Sequence, residues 1–235
     1  MLRFVNILAL LMLLGACASP EPSNTLDGLL KRVEHAYGEA ARMKALRQSG
    51  QLNSASREAP ARVSRYYVYP DKLRIDILFT DGSGEQRLLN GDRGWRHGRE
   101  SRGPGYAAMR LQAARIGLPR MLTEQRARVR ELPSTAADGE WRTVELALDE
   151  HLSIVAHIDT DTGRIIGSQG LLATGSTHLV FDARYDDFRQ QGDALFAFKE
   201  THGVMGRLTG QTVLEHVELL PSLADDLFMP STTSH

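Results

Sequence analysis

From Arg47 onward the chain breaks into short runs of β-branched and aromatic residues, each ending at a turn signal, and this repetition limits the fold more than any other feature. In 72–79, Leu73, Ile75, Ile77 and Phe79 alternate with Lys72, Arg74, Asp76 and Leu78, the period of a strand with one covered face. Asp81-Gly82-Ser83-Gly84 then supplies a hairpin turn that accepts positive φ. A second turn, Asn90-Gly91-Asp92, leads into a short strand carrying Trp95. Strands are expected at 47–56, 62–69, 72–79, 84–90, 126–132, 141–149, 152–159, 164–172, 177–185, 194–201 and 211–219. With no helical crossover between successive early runs, they read as an antiparallel meander.

Two segments read as helical. Leu26, Leu30, Val33, Tyr37 and Ala40 form one apolar stripe, with Asn24 placed to cap it and Asp27 in its first turn, and the helix is expected to continue to about Leu46. After a Gly/Pro-rich loop at 98–105, Tyr106–Gln125 is helical in composition, with Met109, Ala113, Ile116, Leu118, Met121 and Leu122 apolar. Pro119 lacks a backbone donor and is expected to split it into two short helices. Helix, strands, helices, strands, with no internal repeat, is an α+β order.

The first residues have a different character. Arg3 precedes an apolar run from Phe4 to Leu14 that ends in Leu14-Gly15-Ala16-Cys17, and the run is shorter than the roughly 20 residues of a membrane span. Residues 1–16 therefore read as a signal peptide. Cys17 is the only cysteine, which leaves it no disulfide partner in this chain. An ordinary cleaved signal with a stray cysteine is the plainer alternative. Residues 17–24 are small, polar and proline-rich like a tether, residues 25–230 are expected to form one domain, and 231–235 a tail.

Apolar residues make up 42% of the chain, enough for a real core, and the net charge is −1. That balance offers no general attraction for nucleic acid. The eight histidines show no zinc-enzyme spacing such as His-Glu-x-x-His, and chance surface positions account for them better. Asp186-Asp187 and Asp225-Asp226 lie among turn signals, where carboxylates cap amides. Ser83 lacks the frame of a nucleophile elbow. No catalytic residue, metal site or cofactor is expected. Arg110, Arg115, Arg120, Arg126, Arg128 and Arg130 could face anionic headgroups at about 1 kcal/mol each. Glu124 and Glu131 among them favour a solvated surface instead.

The start of the chain resembles that of a bacterial lipoprotein, which implies diacylation of Cys17, cleavage before it and acylation of the new amino terminus. With Ala18 and Ser19 following, and no acidic residue, the resemblance implies the periplasmic face of the outer membrane. Further on, Tyr69-Pro70-Asp71-Lys72-Leu73-Arg74-Ile75, Asn90-Gly91-Asp92-Arg93-Gly94-Trp95 and Phe181-Asp182-Ala183-Arg184-Tyr185-Asp186-Asp187-Phe188 resemble segments of the outer-membrane lipoprotein carrier and receptor superfamily. The ending from Val217 to Pro230, a strand, an acidic turn and Phe228-Met229-Pro230, is similar as well. The resemblance implies a strongly curved antiparallel sheet, an incomplete barrel, wrapped around a few helices. The dedicated carrier has arginine before the proline where this chain has Tyr69. A lipidated Cys17 likewise points to the anchored receptor, because the carrier is soluble.

What the resemblance implies for function is passive binding of acyl chains, a lipid or a lipoprotein, for transport to or assembly at the outer membrane. Burying hydrocarbon in such a cavity gains about 0.8 kcal/mol per methylene. The residues expected to line it are Leu73, Ile75, Ile77, Phe79, Trp95, Val144, Leu146, Leu148, Ile154 and Ile158, with Met109, Met121 and Leu122 on the helical lid. The alternative is that these residues fill a dry core, in a structural or assembly lipoprotein that recruits an envelope protein partner.

Overall fold

The computed structural model describes residues 25–133 and 140–230. Helix α1 (Leu26–Tyr37) starts at Thr25, whose Oγ1 accepts from the Gly28 N–H at 3.2 Å; Asn24, the expected cap, lies outside the described residues. The helix ends nine residues sooner than its stripe suggests. Gly38 takes φ 54°, which side chains rarely adopt, and a short 3-10 helix (Glu39–Arg42) carries the chain into strand β1 (Ala45–Ser54).

The meander continues through β2 (Ala61–Val68), β3 (Lys72–Phe79), β4 (Gly84–Asn90), β5 (Arg93–Arg96) and β6 (Arg99–Ser101). Helix α2 (Gly103–Glu124) is followed by a 3-10 turn (Arg126–Arg128) at the start of the run expected to be extended, and then by β7 (Val129–Leu132). Next come β8 (Trp141–Ala147), β9 (Leu152–Asp159), β10 (Ile165–Thr174), β11 (Thr177–Gln191), β12 (Ala194–Val204) and β13 (Arg207–Leu220). All pair antiparallel in one sheet of order β6-β5-β4-β3-β2-β1-β13-β12-β11-β10-β9-β8-β7, so the first and last strands meet in its middle, from Ala45 opposite Leu220 to Ser54 opposite Gly210. The result is α+β, a curved open sheet around two helices, as the resemblance implied.

Helix α2 joins the two edge strands, β6 and β7. Its 22 residues span about 33 Å, and it buries Met109, Leu111, Leu118, Met121 and Leu122 on the way. Pro119 does not split it. The residue is itself buried, and packing on both sides outweighs the lost backbone donor. Gly117 allows the close approach, since a Cβ there would collide with the Tyr67 hydroxyl. Asp186 and Asp187 form no turn. They sit inside β11, where Asp187 takes φ 51° between the Asp186–Lys199 and Phe188–Ala197 pairs without a break in register.

The opposite face of the sheet is covered at one corner by the chain's end. A 3-10 helix (Asp225–Phe228) packs there, with Lys72 Nζ 2.7 Å from Asp225 and Arg74 Nη1 donating to the Leu227 carbonyl at 3.4 Å. Phe228 is fully buried.

Candidate functional site

The cross-strand register decides which side chains look inward. Arg65, Ile75 and Arg87 stand opposite one another across β2, β3 and β4, and Val63, Ile77 and Glu85 form the next row. On the other side of the central pair, Leu52, Thr212, Glu200 and Tyr185 make one row across β1, β13, β12 and β11. Charged residues therefore share the inner face with apolar ones.

Between this face and α2 lies a cavity of about 350 Å³. One wall is apolar, formed by Leu52, Val63, Ile75, Ile77, Phe79 and Ile116. The other carries Arg65, Glu85, Arg87, Gln112, Arg115, Tyr185, Glu200, His202 and Thr212. At the rim the Arg57 guanidinium lies 3.8 Å from the centre of the Phe79 ring and pairs with Asp81. A smaller void of about 60 Å³ adjoins it, sharing Arg115, Ile116, Tyr185 and Glu200.

The polar wall is a connected network. Arg65 Nη1 donates to Glu200 Oε2 at 2.7 Å, and its Nη2 donates to Thr212 Oγ1 at 3.1 Å. His202 Nε2 is 3.2 Å from the same Thr212 hydroxyl and 3.5 Å from Glu200. Arg115, from α2, donates to Ser168 Oγ at 3.3 Å and to the Phe181 carbonyl at 2.6 Å, while Ser168 and the Tyr185 hydroxyl lie 2.8 Å apart. Glu85 takes two guanidiniums, Arg87 at 2.6 Å and Arg96 at 2.8 Å. Burial alone would raise the Glu200 carboxyl, but Arg65 and His202 beside it hold it below its ordinary value. Burial pushes His202 down to about 4 against the opposing pull of Glu200, so the imidazole is neutral at neutral pH.

Of the residues expected to line a cavity, Ile75, Ile77 and Phe79 do so. Val144, Leu146, Ile154 and Ile158 share the inner face but are fully buried in packed core around β7–β9, with Leu148 partly buried beside them. Leu73, Met109, Met121 and Leu122 are likewise buried in that core. Trp95 is on the other face. It stands opposite Leu88, which stands opposite Arg74, and these belong to the side covered by the C-terminal segment. Cys17 lies outside the described residues.

The histidine expectation also needs correcting. His202 is a cavity residue, not a chance surface one. The middle arginines do not form one basic surface: Arg110 pairs with Asp149, Arg120 with Glu124, Arg126 with Asp27 and Glu34, and Arg130 with Glu145. Arg120 also stacks over Tyr69, 3.9 Å from the ring centre. The polar wall was missed although a signal for it existed. Arg65 is in phase with Ala61, Val63 and Tyr67, and Glu200 and His202 are in phase with Phe196 and Phe198, so charges stand at apolar-phase positions.

Among the described residues, no cluster of three or more His, Cys, Asp or Glu could hold a metal ion, and no helix is long and apolar enough to cross a membrane.

No protein-family model and no curated protein sequence matches the chain. Solved structures do match its fold. A LolA superfamily protein from Nitrosomonas europaea aligns at TM-score 0.57 and 12% identity, covering 87% of this chain and 97% of its own. A putative outer membrane lipoprotein-sorting protein domain from Vibrio parahaemolyticus aligns at 0.52 and 11%, covering 86% and 95%. A DUF1329 family protein from Desulfovibrio piger aligns at 0.55 and 10%, covering 86% and 96%. The curved antiparallel sheet around two helices is thus the fold this chain shares with LolA superfamily and outer membrane lipoprotein-sorting domain structures.

Proposed function

We propose that this chain is a lipid-anchored, non-enzymatic protein of the periplasmic face of the outer membrane, held by acylated Cys17 and a tether over 17–24, whose domain over 25–230 shelters acyl chains of a lipid or lipoprotein during transport or assembly. The observation that carries the reading is the cavity under α2, where Ile75, Ile77 and Phe79 give hydrocarbon an apolar wall inside a fold shared with lipoprotein-sorting structures. Native mass spectrometry of residues 17–235 with Cys17→Ser, prepared without detergent, tests it. A co-purifying hydrophobic molecule, lost in an Ile75→Glu/Ile77→Glu double variant, is the expected result; a protein that neither carries nor takes up any amphiphile overturns the reading.

A second reading keeps one observation on its side. Val144, Leu146, Ile154 and Ile158 are fully buried, so half of the inner face is solid core, as in an assembly lipoprotein that recruits an envelope partner by its surface. Capture of one stoichiometric envelope protein, together with an empty cavity, is the outcome that favours it.

A further inference from the structure

Resting on the acyl-chain reading above, we infer that the cavity selects a single-chain amphiphile with an anionic, oxygen-rich headgroup, which Arg115 binds while the chain lies along Ile75, Ile77 and Phe79. Charge comes first. Four guanidiniums line the space, those of Arg57, Arg65, Arg87 and Arg115, against the carboxylates of Glu85 and Glu200, with His202 neutral. Glu85 is matched twice over, by Arg87 and Arg96, and Glu200 is matched by Arg65. Arg115 has no ion pair of its own, and its charge acts on Glu200 only as a lesser contribution beside that of Arg65. Among the described residues no carboxylate lies within 4 Å of it, its bonds go from Nε and Nη2 to a hydroxyl and a carbonyl, and Nη1 is left with no protein acceptor.

An independent observation marks the same place. Gln112, one helical turn before Arg115 on α2, also lines the cavity, and its Oε1 is shut off from solvent with no hydrogen-bond partner among the described residues. A buried amide of this kind costs stability until something bonds to it. As placed, the unpartnered atom is an acceptor; the flipped amide would put its NH₂ there instead, a neutral donor three residues before the Arg115 cation on α2. Carboxylate and phosphate both fit that chemistry. Size then limits the chain count: about 350 Å³ is at the low end of small-molecule sites, which suits one chain rather than the several of a complete lipoprotein anchor.

The experiment is displacement of a fluorescent polyene fatty acid from residues 17–235 carrying Cys17→Ser, with palmitate, 1-palmitoyl lysophosphatidate and neutral 1-monopalmitin as competitors. The wild type is expected to bind at least one anionic competitor tenfold or more tightly than the monopalmitin, and the stronger of the two anions identifies the headgroup as carboxylate or phosphate. Arg115→Gln should remove that preference, Arg115→Lys should keep most of it, and Gln112→Leu should weaken the anion alone; circular dichroism checks that each variant is folded. Equal binding of charged and neutral competitors overturns the headgroup inference while the acyl-chain reading stands. An anion preference that survives in folded Arg115→Gln overturns the role of Arg115. Absence of binding by every amphiphile overturns both.

Discussion

Placing a glutamate at three inward positions separates the hollow half of the fold from the solid half. Ile75 and Ile154 are both buried, both β-strand and both on the inner face, yet their surroundings differ. Either substitution forfeits about 2–3 kcal/mol of apolar burial. At Ile75 the new carboxylate lies beside the cavity, with Arg65 opposite on one strand and Arg87 on the other. Two favourable cross-strand pairs return about 1 kcal/mol in total, so Ile75→Glu should cost about 1–2 kcal/mol. At Ile154 the opposing residues are Leu146 and Gly170, with neither water nor a cation to meet the charge. Several further kcal/mol are then lost, which takes Ile154→Glu to about 5 kcal/mol or more, the scale of a whole domain's stability. Ile77→Glu should fall between, because its cross-strand neighbour is Glu85. Urea unfolding followed by circular dichroism reads the order, with Leu78→Glu, at a position 44% exposed, as a control within about 0.5 kcal/mol of wild type. If Ile75→Glu is as damaging as Ile154→Glu, water does not reach the inner face and the cavity argument fails.

Acidification should weaken the fold. The unfolded chain protonates His202 near its ordinary value of about 6.5 and the folded chain only near 4, so stability is complete above the first value and falls as pH drops between them, by at most about 3 kcal/mol before the partial exposure of the ring is counted. The depressed Glu200 carboxyl adds a loss of the same sign further down, and thermal melts at stepped pH on wild type and His202→Gln should show the upper part of the slope only in the former. Gly117→Ala should lower stability by about 1–3 kcal/mol through its collision with the Tyr67 hydroxyl, and Tyr67→Phe should rescue part of that loss in a double-mutant cycle of melting temperatures. Cys17→Ser should leave the chain unprocessed by the lipoprotein-specific peptidase and unlabelled by radioactive palmitate; normal processing and outer-membrane fractionation of that variant would count against the anchor.

How much of this was legible depended on whether local pattern and tertiary placement agree. Strand β3 could be read residue by residue because one face is covered and the other half-exposed, so Leu73, Ile75 and Ile77 alternate with polar neighbours. Strand β5 could not. It has four residues, and Gly94 and Trp95 are both buried, one under α2 and the other on the opposite face of the sheet, which erases the alternation that would have shown which way Trp95 points. Pro119 misled in the opposite direction, since its local preference is real but is outweighed by burial between helix and sheet. The hollow itself is a property of where α2 crosses, which no strand pattern encodes.

The polar wall is the part of the site that folding stability does not explain. A buried pair such as Arg65–Glu200 recovers its own desolvation at best, and packed apolar residues of similar volume are commonly as stable or more so. Leu, Ile or Phe at positions 65, 200 and 202 would continue the apolar phase of β2 and β12 and close the cavity with the same kind of core that surrounds Ile154. The chain instead keeps three ionisable groups there, satisfies two of them with each other and Thr212, and leaves the third neutral. Under the proposed function these groups would keep one side of the space hydrated and unfavourable to a second hydrocarbon chain, while the wall of Ile75, Ile77 and Phe79 takes the first. A fold that only needed a core at this place would have been filled from both sides; the division into a wet wall and an oily one is what an amphiphile requires.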